Sequence, residues 1–367
     1  WGWRKSLSFD LIQEWVLKNP EASICTAQGA KKFKDIAIFQ DYHGLPEFRM
    51  AVANFMGKVR GNRVTFNPDR IVMSGGATGA HEDDCLLLGL IPERDFWVPV
   101  PYYPGFDRRF EMANWGTASS STCESSTISR SREQPWKNAY EKAQKANIRV
   151  KGLIITNPSN PLGTILDRET LKSLGFHHEK NIHLVCDEIY AATVFTQPRF
   201  ISIAEILEEE DVVCHRDLVH IVYSLSKDMG FPGFRVRNPC THYNDAVSGL
   251  RRERCRVSGW VSTQTQCLIA SMLSDNEFVD RFIVESAKRL EARHTKFTEG
   301  LEEQGTTCLK SNGGLFVWMD LHKHLKEQTF EAEMALWRTI INIVKLNVSP
   351  GCSFHCPQPG WFSVCFA

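Results

Sequence analysis

The chain has 367 residues, of which 43% are hydrophobic, 11% aromatic and 23% charged, a globular composition that excludes disordered, collagen-like and small disulfide-rich proteins. Its 43 basic and 43 acidic side chains give a formal net charge of zero, which argues against nucleic acid or a membrane surface as a partner and favours a small neutral or zwitterionic ligand. No apolar run reaches the ~18 residues of a membrane-spanning helix, and the first residues lack the apolar stretch of a signal peptide.

Short apolar runs alternate with helical patterns up to about residue 262, which predicts an α/β core on a mainly parallel sheet. The predicted strands cover residues 70–73, 96–100, 150–156, 183–187 and 219–224. Each strand ends at or just before Gly, Pro, Asn, Asp or Ser. Because open α/β sheets bind ligands beyond the carboxyl ends of their strands, the residues after these strands are the predicted ligand site.

The pattern of helical and strand-like segments changes after residue 262. Long helical patterns at 274–300 and 330–346 flank a short strand-like segment at 314–320, which predicts a smaller α+β domain. We therefore expect a large domain over residues 41–262 and a small domain made of residues 1–40 and 263–367.

The twelve cysteines are scattered without regular spacing. In a chain long enough to bury a core, this usage indicates reduced thiols and a cytoplasmic location. Cys352, His355 and Cys356, and the pair His177 and His178, lack a second half with metal-ligand spacing, so we predict no metal site. The sequence does not begin with Met, and we expect the natural chain to begin earlier.

Four strand ends carry polar motifs. Residues 70–82 have the pattern strand, SGGATG, helix, which aims backbone N–H groups and a helix dipole at an anion. Later strands are followed by NPSNPLG (157–163), DEIY (187–190) and YSLSKDMGFPGFR (223–235). Each motif alone is more often an ordinary turn or a solvated side chain. Their joint order predicts a cofactor site.

These motifs, together with FQDYHGLPEFR (39–49), PYYPGFDR (101–108) and NVSPG (347–351), resemble the fold type I pyridoxal-phosphate enzymes, and within them the 1-aminocyclopropane-1-carboxylate synthases of plants. The resemblance covers nearly the whole chain. It implies an α/β large domain with a mainly parallel, seven-stranded sheet between helices, and a smaller α+β domain built from both chain ends. It also implies that the small domain is incomplete, because a terminal helix and a basic tail would follow Ala367.

The resemblance assigns catalytic roles to three residues. Lys227 would hold pyridoxal 5′-phosphate as a Schiff base and, once displaced by the substrate, would remove the Cα proton. Asp187 would keep the pyridine nitrogen of the cofactor protonated. Tyr190, together with the cofactor-binding residue Asn160, would hydrogen-bond the ring oxygen and favour its anionic form.

Further cofactor contacts are implied by the same resemblance. The phosphate would be held by two side chains and two backbone N–H groups, those of Ser224, Arg235, Ala77 and Thr78. Tyr103 would lie over the face of the cofactor ring. Tyr42 corresponds to a residue that reaches the cofactor of the neighbouring subunit, which implies a homodimer with shared active sites.

The implied reaction is that of a lyase in ethylene biosynthesis and fruit ripening. It takes S-adenosylmethionine, whose sulfonium makes Cγ electrophilic, and yields 1-aminocyclopropane-1-carboxylate and methylthioadenosine. An aminotransferase of the same fold stays open, because cofactor residues establish the loss of the Cα proton while the pocket decides the product. A silent cofactor-binding subunit that pairs with an active partner also stays open.

Three positions depart from the family pattern. Ser363 follows Gly-Trp-Phe where the family has an Arg that binds the substrate carboxylate, and a hydroxyl supplies neither the charge nor the paired donors of a guanidinium. Arg4 stands where a pocket Glu is expected. Arg237, Asn238 and Pro239 replace a Gly and its successors in a segment that should continue as a strand.

Overall fold

The computed structural model describes residues 8–73, 95–107, 134–147, 150–234, 239–245, 247–249 and 261–367. The α-helices in these ranges are α1 (Phe9–Lys18), α2 (Phe33–Ile36), α3 (Pro46–Val59), α4 (Gln134–Lys145), α5 (Arg168–Ser173), α6 (Phe176–Glu179), α7 (Ile203–Ile206), α8 (Leu225–Asp228), α9 (Thr263–Ser274), α10 (Asn276–Glu303) and α11 (Phe330–Thr339). The strands are β1 (Ile71–Met73), β2 (Asp95–Trp97), β3 (Val150–Thr156), β4 (His183–Asp187), β5 (Val219–Val222), β6 (Pro239–His242), β7 (Thr307–Cys308), β8 (Phe316–Asp320), β9 (Ser349–Pro350) and β10 (Trp361–Cys365). Within the described ranges, no helix is long and apolar enough to cross a membrane.

The larger sheet has the strand order β1-β6-β5-β4-β3-β2. Strands β2 to β5 run parallel, whereas β6 is antiparallel to both of its neighbours. Strands β3, β4 and β5 are almost entirely buried, as expected for strands covered on both faces. The mainly parallel sheet is thus confirmed. The seventh strand that the resemblance implies is not among the described residues.

The five strands predicted for this sheet are all present, with differences of one to three residues at some ends. The run at 219–224 ends as a strand at Val222, because Tyr223 and Ser224 lead into α8. Strand β6 starts at Pro239, the first position of a strand, where the missing N–H is tolerated. The segment therefore does form a strand from the substituted residue Pro239 onward, whereas Arg237 and Asn238 lie outside the described ranges.

Helix α3 and the N-terminal helix pack against the C-terminal helices. Phe48, Phe55 and Met56 are fully buried on one side of α3, which packs against α9 at the spacing of an amphipathic helix. Trp15 of α1 donates from Nε1 to Asp275 Oδ2 at 2.8 Å, just before α10. Side chains of α1 and α9 belong to the same core as the large sheet, and the domain boundaries at residues 40 and 262 stay a prediction.

The smaller sheet has the order β7-β8-β10-β9 and is antiparallel. Phe362 packs with Val317 and Met319 against side chains of α10 and α11. Because alternate residues of a strand point to opposite faces, Ser363 shares the other face of β10 with Cys365. This face of β10 is considered below together with the candidate site.

A pair of histidines links β4 and β5 and makes the fold sensitive to acid. His183 Nδ1 and His220 Nε2 are 2.9 Å apart. Burial, with a smaller contribution from Lys151, lowers the pKa of His183 from 6.5 to about 4. The unfolded chain binds this proton near pH 6.5, so the stability contributed by neutral His183 is complete above that pH and is lost as the pH falls towards 4.

We expect this group to remove about 2 kcal/mol from the free energy of unfolding between pH 7 and pH 5. Urea unfolding of the parent and of His183→Gln at both pH values measures the effect, because the variant should lose less stability on acidification. His324→Gln, at an exposed histidine after β8, is the matched control. An identical pH dependence in all three proteins would contradict the assignment.

Candidate active site

The polar motifs after β3, β4 and β5 meet at the carboxyl edge of the large sheet. The backbone N–H of Asn157 donates to the carbonyl of Asp187 at 2.9 Å, and the N–H of Glu188 donates to the carbonyl of Val222 at 2.8 Å. The parallel register of the strands continues through these bonds. Consequently the three motif-bearing segments leave the sheet side by side, as the sequence predicted.

Four predicted residues come together at this edge. Asn160 Nδ2 donates to the Tyr190 hydroxyl at 3.3 Å, and Lys227 Nζ lies 5.9 Å from the centre of the Tyr190 ring. Asp187 is buried, and its Oδ1 accepts from the N–H of Ile189 at 3.1 Å. A partly buried amine, a buried carboxylate and a hydrogen-bonded phenol therefore share one site.

The surroundings change the acidity of two of these groups. Burial lowers the pKa of Lys227, while the charges of Cys365 and Asp187 act in the opposite direction. Burial raises the pKa of Tyr190 far above its usual value, and the charge of Asp187 and the Tyr103 phenol add to the rise. A less basic amine has a larger neutral fraction, which is the form that attacks a carbonyl or accepts a proton. Tyr190 keeps its proton at neutral pH and remains a hydrogen-bond donor.

Ser224 precedes the short helix that carries Lys227. It is fully buried, and its Oγ accepts from the N–H of Ser226 at 3.0 Å, which caps the start of α8. The cap holds the first turn of α8, and with it Lys227, in a defined orientation.

Asp228, which was not predicted from the sequence, connects two segments of the site through hydrogen bonds. Its Oδ2 accepts from the N–H of Ala192 at 3.0 Å and from the Tyr223 hydroxyl. Burial raises the pKa of its carboxyl to about 7. These bonds tie α8 to the segment directly after Tyr190, so the separation of Lys227 and Tyr190 is maintained by Asp228.

The carboxylate of Glu188 has a structural role, although it adjoins Asp187 in the motif. It forms a fully buried ion pair with Arg60, and it accepts from Ser202 Oγ and from the N–H of Ile203 at 2.9 Å. A buried charge is stable only when it is paired and hydrogen-bonded in this way. Glu188 therefore anchors the loop after β4. The only signal of this in the sequence is a second carboxylate directly beside the first.

Tyr103 lies in the segment after residue 100 and is 41% exposed. Its ring covers Gly105 so closely that a Cβ at that position would lie 2.3 Å from Tyr103 Cε1. Since contacts under 3.0 Å essentially never occur for real Cβ atoms, the Gly is required for this placement of the ring. The ring is thus held in this position, edge-on to Phe106 with ring centres 5.8 Å apart, and the resemblance places it over the face of a cofactor.

We expect Gly105→Ala to displace the Tyr103 ring and to weaken pyridoxal 5′-phosphate binding about tenfold, from the ~1.5 kcal/mol upper value of an aromatic stacking contact. Titration of the purified protein with the cofactor, followed by absorbance, measures the change. Gly300→Ala is the matched control, because a Cβ there meets nothing within 4 Å. Unaltered affinity of Gly105→Ala would show that the ring placement is irrelevant to binding.

Ser363 is buried in the middle of the small sheet. It pairs with Trp318 of β8 and with Ser349 of β9. Two residues further along the same face, Cys365 influences the pKa of both Lys227 and Tyr190. Ser363 therefore lies on the face that is turned towards the amine, which is where an Arg for the substrate carboxylate would be expected.

The other predicted residues lie either at the surface or outside the residue ranges that the structure describes. Tyr42 is 40% exposed, in a turn before α3. The predicted phosphate ligands Ala77, Thr78 and Arg235 lie outside the described ranges, as do the divergent residues Arg4 and Arg237. Where the structure describes the chain, no group of three or more His, Cys, Asp or Glu could hold a metal ion.

The described residues fit a pyridoxal 5′-phosphate ring. The site offers a neutral-prone amine for the aldehyde carbon, a buried carboxylate for the ring nitrogen, and the Asn160–Tyr190 pair for the ring oxygen. The predicted phosphate ligand Ser224 precedes the helix that carries Lys227. The described donors match the cofactor ring in their chemistry.

Comparison with known proteins agrees with this fit. A family model for aminotransferase class I and II matches residues 6–367. A 1-aminocyclopropane-1-carboxylate synthase of Glycine max is 62% identical over 363 residues, covering 98% of this chain and 74% of that protein. One from Vigna radiata is 61% identical and covers 98% of both chains.

Solved structures of lower identity share the fold. An aspartate aminotransferase mutant of Thermus thermophilus superposes with a TM-score of 0.73 at 19% identity, over 90% of this chain and 83% of that chain. An aromatic aminotransferase of Pyrococcus horikoshii gives a TM-score of 0.76 at 18% identity, over 91% and 84%. These likenesses confirm the fold class expected from the sequence.

Proposed function

Because the chain belongs to the class I and II aminotransferase family and, within it, to the 1-aminocyclopropane-1-carboxylate synthases, we propose that it converts S-adenosylmethionine into 1-aminocyclopropane-1-carboxylate and methylthioadenosine. The observation that carries the proposal is the 61–62% identity to synthases over 98% of this chain. The convergence of Lys227, Asp187 and Tyr190 at one sheet edge supports the loss of the Cα proton with which the reaction begins. Relatives that are about 60% identical carry the synthase name, so the aminotransferase alternative is not favoured.

Pyridoxal 5′-phosphate, when bound, withdraws electrons from the Cα of an amino acid and so acidifies its proton. Lys227 is the group that accepts this proton: its amine lies in the site, and burial lowers its pKa so that the neutral form is available. Once Cα has lost its proton, its electron pair forms the bond to Cγ. As this bond forms, the bond from Cγ to sulfur breaks, its electron pair goes to the sulfonium sulfur, and methylthioadenosine leaves.

Asp187 and Tyr190 provide fixed polar groups on the other segments of the site. The buried Asp187 carboxylate holds a positive charge opposite it, and its Oδ1 is oriented by the N–H of Ile189. Asn160 donates a hydrogen bond to the Tyr190 hydroxyl, and both side chains would donate to the ring oxygen of the cofactor. Preorganised donors of this kind do not reorient during the reaction, which is why they stabilise developing charge effectively.

We also propose a homodimer with shared sites, located in the cytoplasm. Large apolar side chains lie exposed before α3, among them Ile38 and Phe39, the latter 85% exposed. Such a patch is typical of a subunit interface, and Tyr42 lies within the same segment. The cysteines whose side chains are described are all free thiols, which supports a reducing compartment.

A hybrid-dimer experiment tests the role of Tyr42 across the interface. Tyr42→Ala and Lys227→Ala should each be inactive, but their co-expression should restore activity to about a quarter of the parent level. Half of randomly assorted dimers are hybrids, and one of their two sites then has both residues. Steady-state product formation measures the recovery.

The matched control combines Lys227→Ala with Asp187→Asn. Both of these residues belong to the site of one subunit, so this pair should stay inactive. Absence of recovery with Tyr42→Ala, or recovery with Asp187→Asn, would contradict shared sites as assigned here.

The function itself is tested by incubating the cofactor-loaded protein with S-adenosylmethionine and following products by mass spectrometry. Formation of methylthioadenosine and 1-aminocyclopropane-1-carboxylate in equal amounts is expected. A keto acid without methylthioadenosine would overturn the proposal in favour of an aminotransferase. A loaded protein that yields no product at all would overturn it in favour of a silent subunit.

A further inference from the structure

The segment that carries Tyr103 is hydrogen-bonded to a loop of the small sheet region. Asp107 Oδ2 accepts from His355 Nε2 at 2.7 Å, and Asp107 Oδ1 accepts from the Tyr102 hydroxyl at 2.7 Å. Both oxygens of one carboxylate are therefore used, one within its own segment and one 248 positions along the chain. We call the bond between these two side chains the Asp107–His355 bridge.

Two further contacts support the bridge. The rings of Tyr102 and His355 stack, with centres 4.6 Å apart and an angle of 20° between their planes. The N–H of Tyr102 donates to the carbonyl of Phe354 at 3.0 Å. Side chains and backbone on both sides thus fix the two segments against each other, directly beside Tyr103.

The loop on the small-domain side is itself held firmly. Glu333 is fully buried, and its two oxygens accept from the N–H of Cys352 at 2.8 Å and of Gly360 at 2.6 Å. The loop follows β9, in which Ser349 pairs with Ser363. The small sheet, with the position expected to face the substrate carboxylate, is therefore connected through a rigid loop to the bridge.

We propose that the Asp107–His355 bridge positions Tyr103 over the cofactor ring, and that His355 is a positioning residue for this site. The proposal rests on the proposed function, because it requires the cofactor to bind at Lys227. Tyr103 follows Tyr102 directly and is packed on Gly105, so a displacement of residues 102–107 moves its ring. The bridge thereby fixes the position of the segment that carries Tyr103 relative to the small sheet that carries Ser363.

A double-mutant cycle on cofactor affinity tests the proposal. His355→Asn removes the ring and shortens the side chain, and Asn tolerates the left-handed backbone found at this position, where φ is 59°. We expect the dissociation constant of pyridoxal 5′-phosphate to rise about fivefold, as for loss of one supporting hydrogen bond. In a Tyr103→Ala background the same change should have no further effect, because the bridge acts through Tyr103.

Two variants separate positioning from general stability. His355→Gln places an amide donor near the original Nε2 and should restore most of the affinity. Asp107→Ala breaks the bridge from the other side and should reproduce His355→Asn, which keeps the test valid where one variant folds poorly. His324→Asn, at an exposed histidine, is the control and should match the parent in affinity and in the visible circular dichroism of the bound cofactor.

The outcomes distinguish this proposal from the proposed function. A parent protein that fails to bind pyridoxal 5′-phosphate covalently overturns the function. If the parent binds the cofactor but His355→Asn has no effect on its affinity, only the role of the bridge is overturned. The same holds if the effects of His355→Asn and Tyr103→Ala are additive. The proposal is supported if His355→Asn weakens cofactor binding in the parent and has no further effect in the Tyr103→Ala background.

Discussion

Replacing Lys227 by Ala is expected to abolish covalent attachment of pyridoxal 5′-phosphate and to reduce formation of 1-aminocyclopropane-1-carboxylate by at least about 1,000-fold, within the range expected for loss of a general base. The Lys227 amine lies in the site beside the Tyr190 ring, and its burial favours the neutral form. No methyl group can replace either function. Borohydride reduction followed by peptide mass spectrometry measures the adduct.

The matched control is Lys18→Ala, on the surface of α1, where the Lys side chain is 67% exposed and pairs with Glu14. This variant should keep both the adduct and the activity. Circular dichroism should show Lys227→Ala to be folded, because the cap at Ser224 and the bonds of Asp228 do not involve the amine. An adduct that persists in Lys227→Ala would mean that another lysine carries the cofactor.

Restoring a guanidinium in the variant Ser363→Arg is expected to raise kcat/KM for S-adenosylmethionine about 100-fold. The estimate converts a charged, paired hydrogen bond of about 3 kcal/mol at the relation of ~1.4 kcal/mol per tenfold. Ser363 lies on the β10 face shared with Cys365, which influences Lys227 and Tyr190. An Arg there can bind the α-carboxylate and align the Cα–H bond for the amine. Initial rates across substrate concentrations give the ratio.

Two substitutions at the same position separate length from charge. Ser363→Gln extends the side chain without a charge and should gain little, whereas Ser363→Lys adds charge without paired donors and should gain less than Arg. A parent chain that already turns over substrate at full rate, or a folded and loaded Ser363→Arg that behaves like the parent, would contradict the assignment. Another basic group would then bind the carboxylate.

The result at Ser363 also decides between an active enzyme and a silent subunit. All described residues that would hold the cofactor ring are present and converge, so cofactor binding does not depend on Ser363. Turnover depends on substrate alignment, which a serine hydroxyl supplies poorly. A large gain on Ser363→Arg would mean that the chemistry of the site is intact and that the carboxylate contact is the missing part.

The centre of the large sheet and the centre of the site could be predicted from the amino-acid sequence alone. Strands β3, β4 and β5 are continuous apolar runs bounded by turn residues, so they are recognisable without tertiary information. The carboxyl ends of parallel strands must lie at one edge. Lys227, Asp187, Tyr190 and Asn160 follow such strands, and their meeting was therefore predictable.

Hydrophobic periodicity alone does not reveal short or irregular elements, and the strand after residue 236 was expected only from the family resemblance. Strand β6 starts at a proline and β9 has two residues, so neither shows a strand period. They exist because neighbouring strands offer hydrogen-bonding edges, β5 and β1 in one case and β10 in the other. A strand of this kind is specified by its neighbours more than by its own residues.

Tertiary contacts determine which charged groups are structural and which belong to the site. Asp187 and Glu188 are adjacent carboxylates, yet the first lies in the site and the second pairs with Arg60, 128 positions away. The Asp107–His355 bridge joins residues 248 positions apart. Local patterns carry no information on such pairings, because the pairing is set by how the chain folds back on itself, and burial then makes each charge depend on the partner that it meets there.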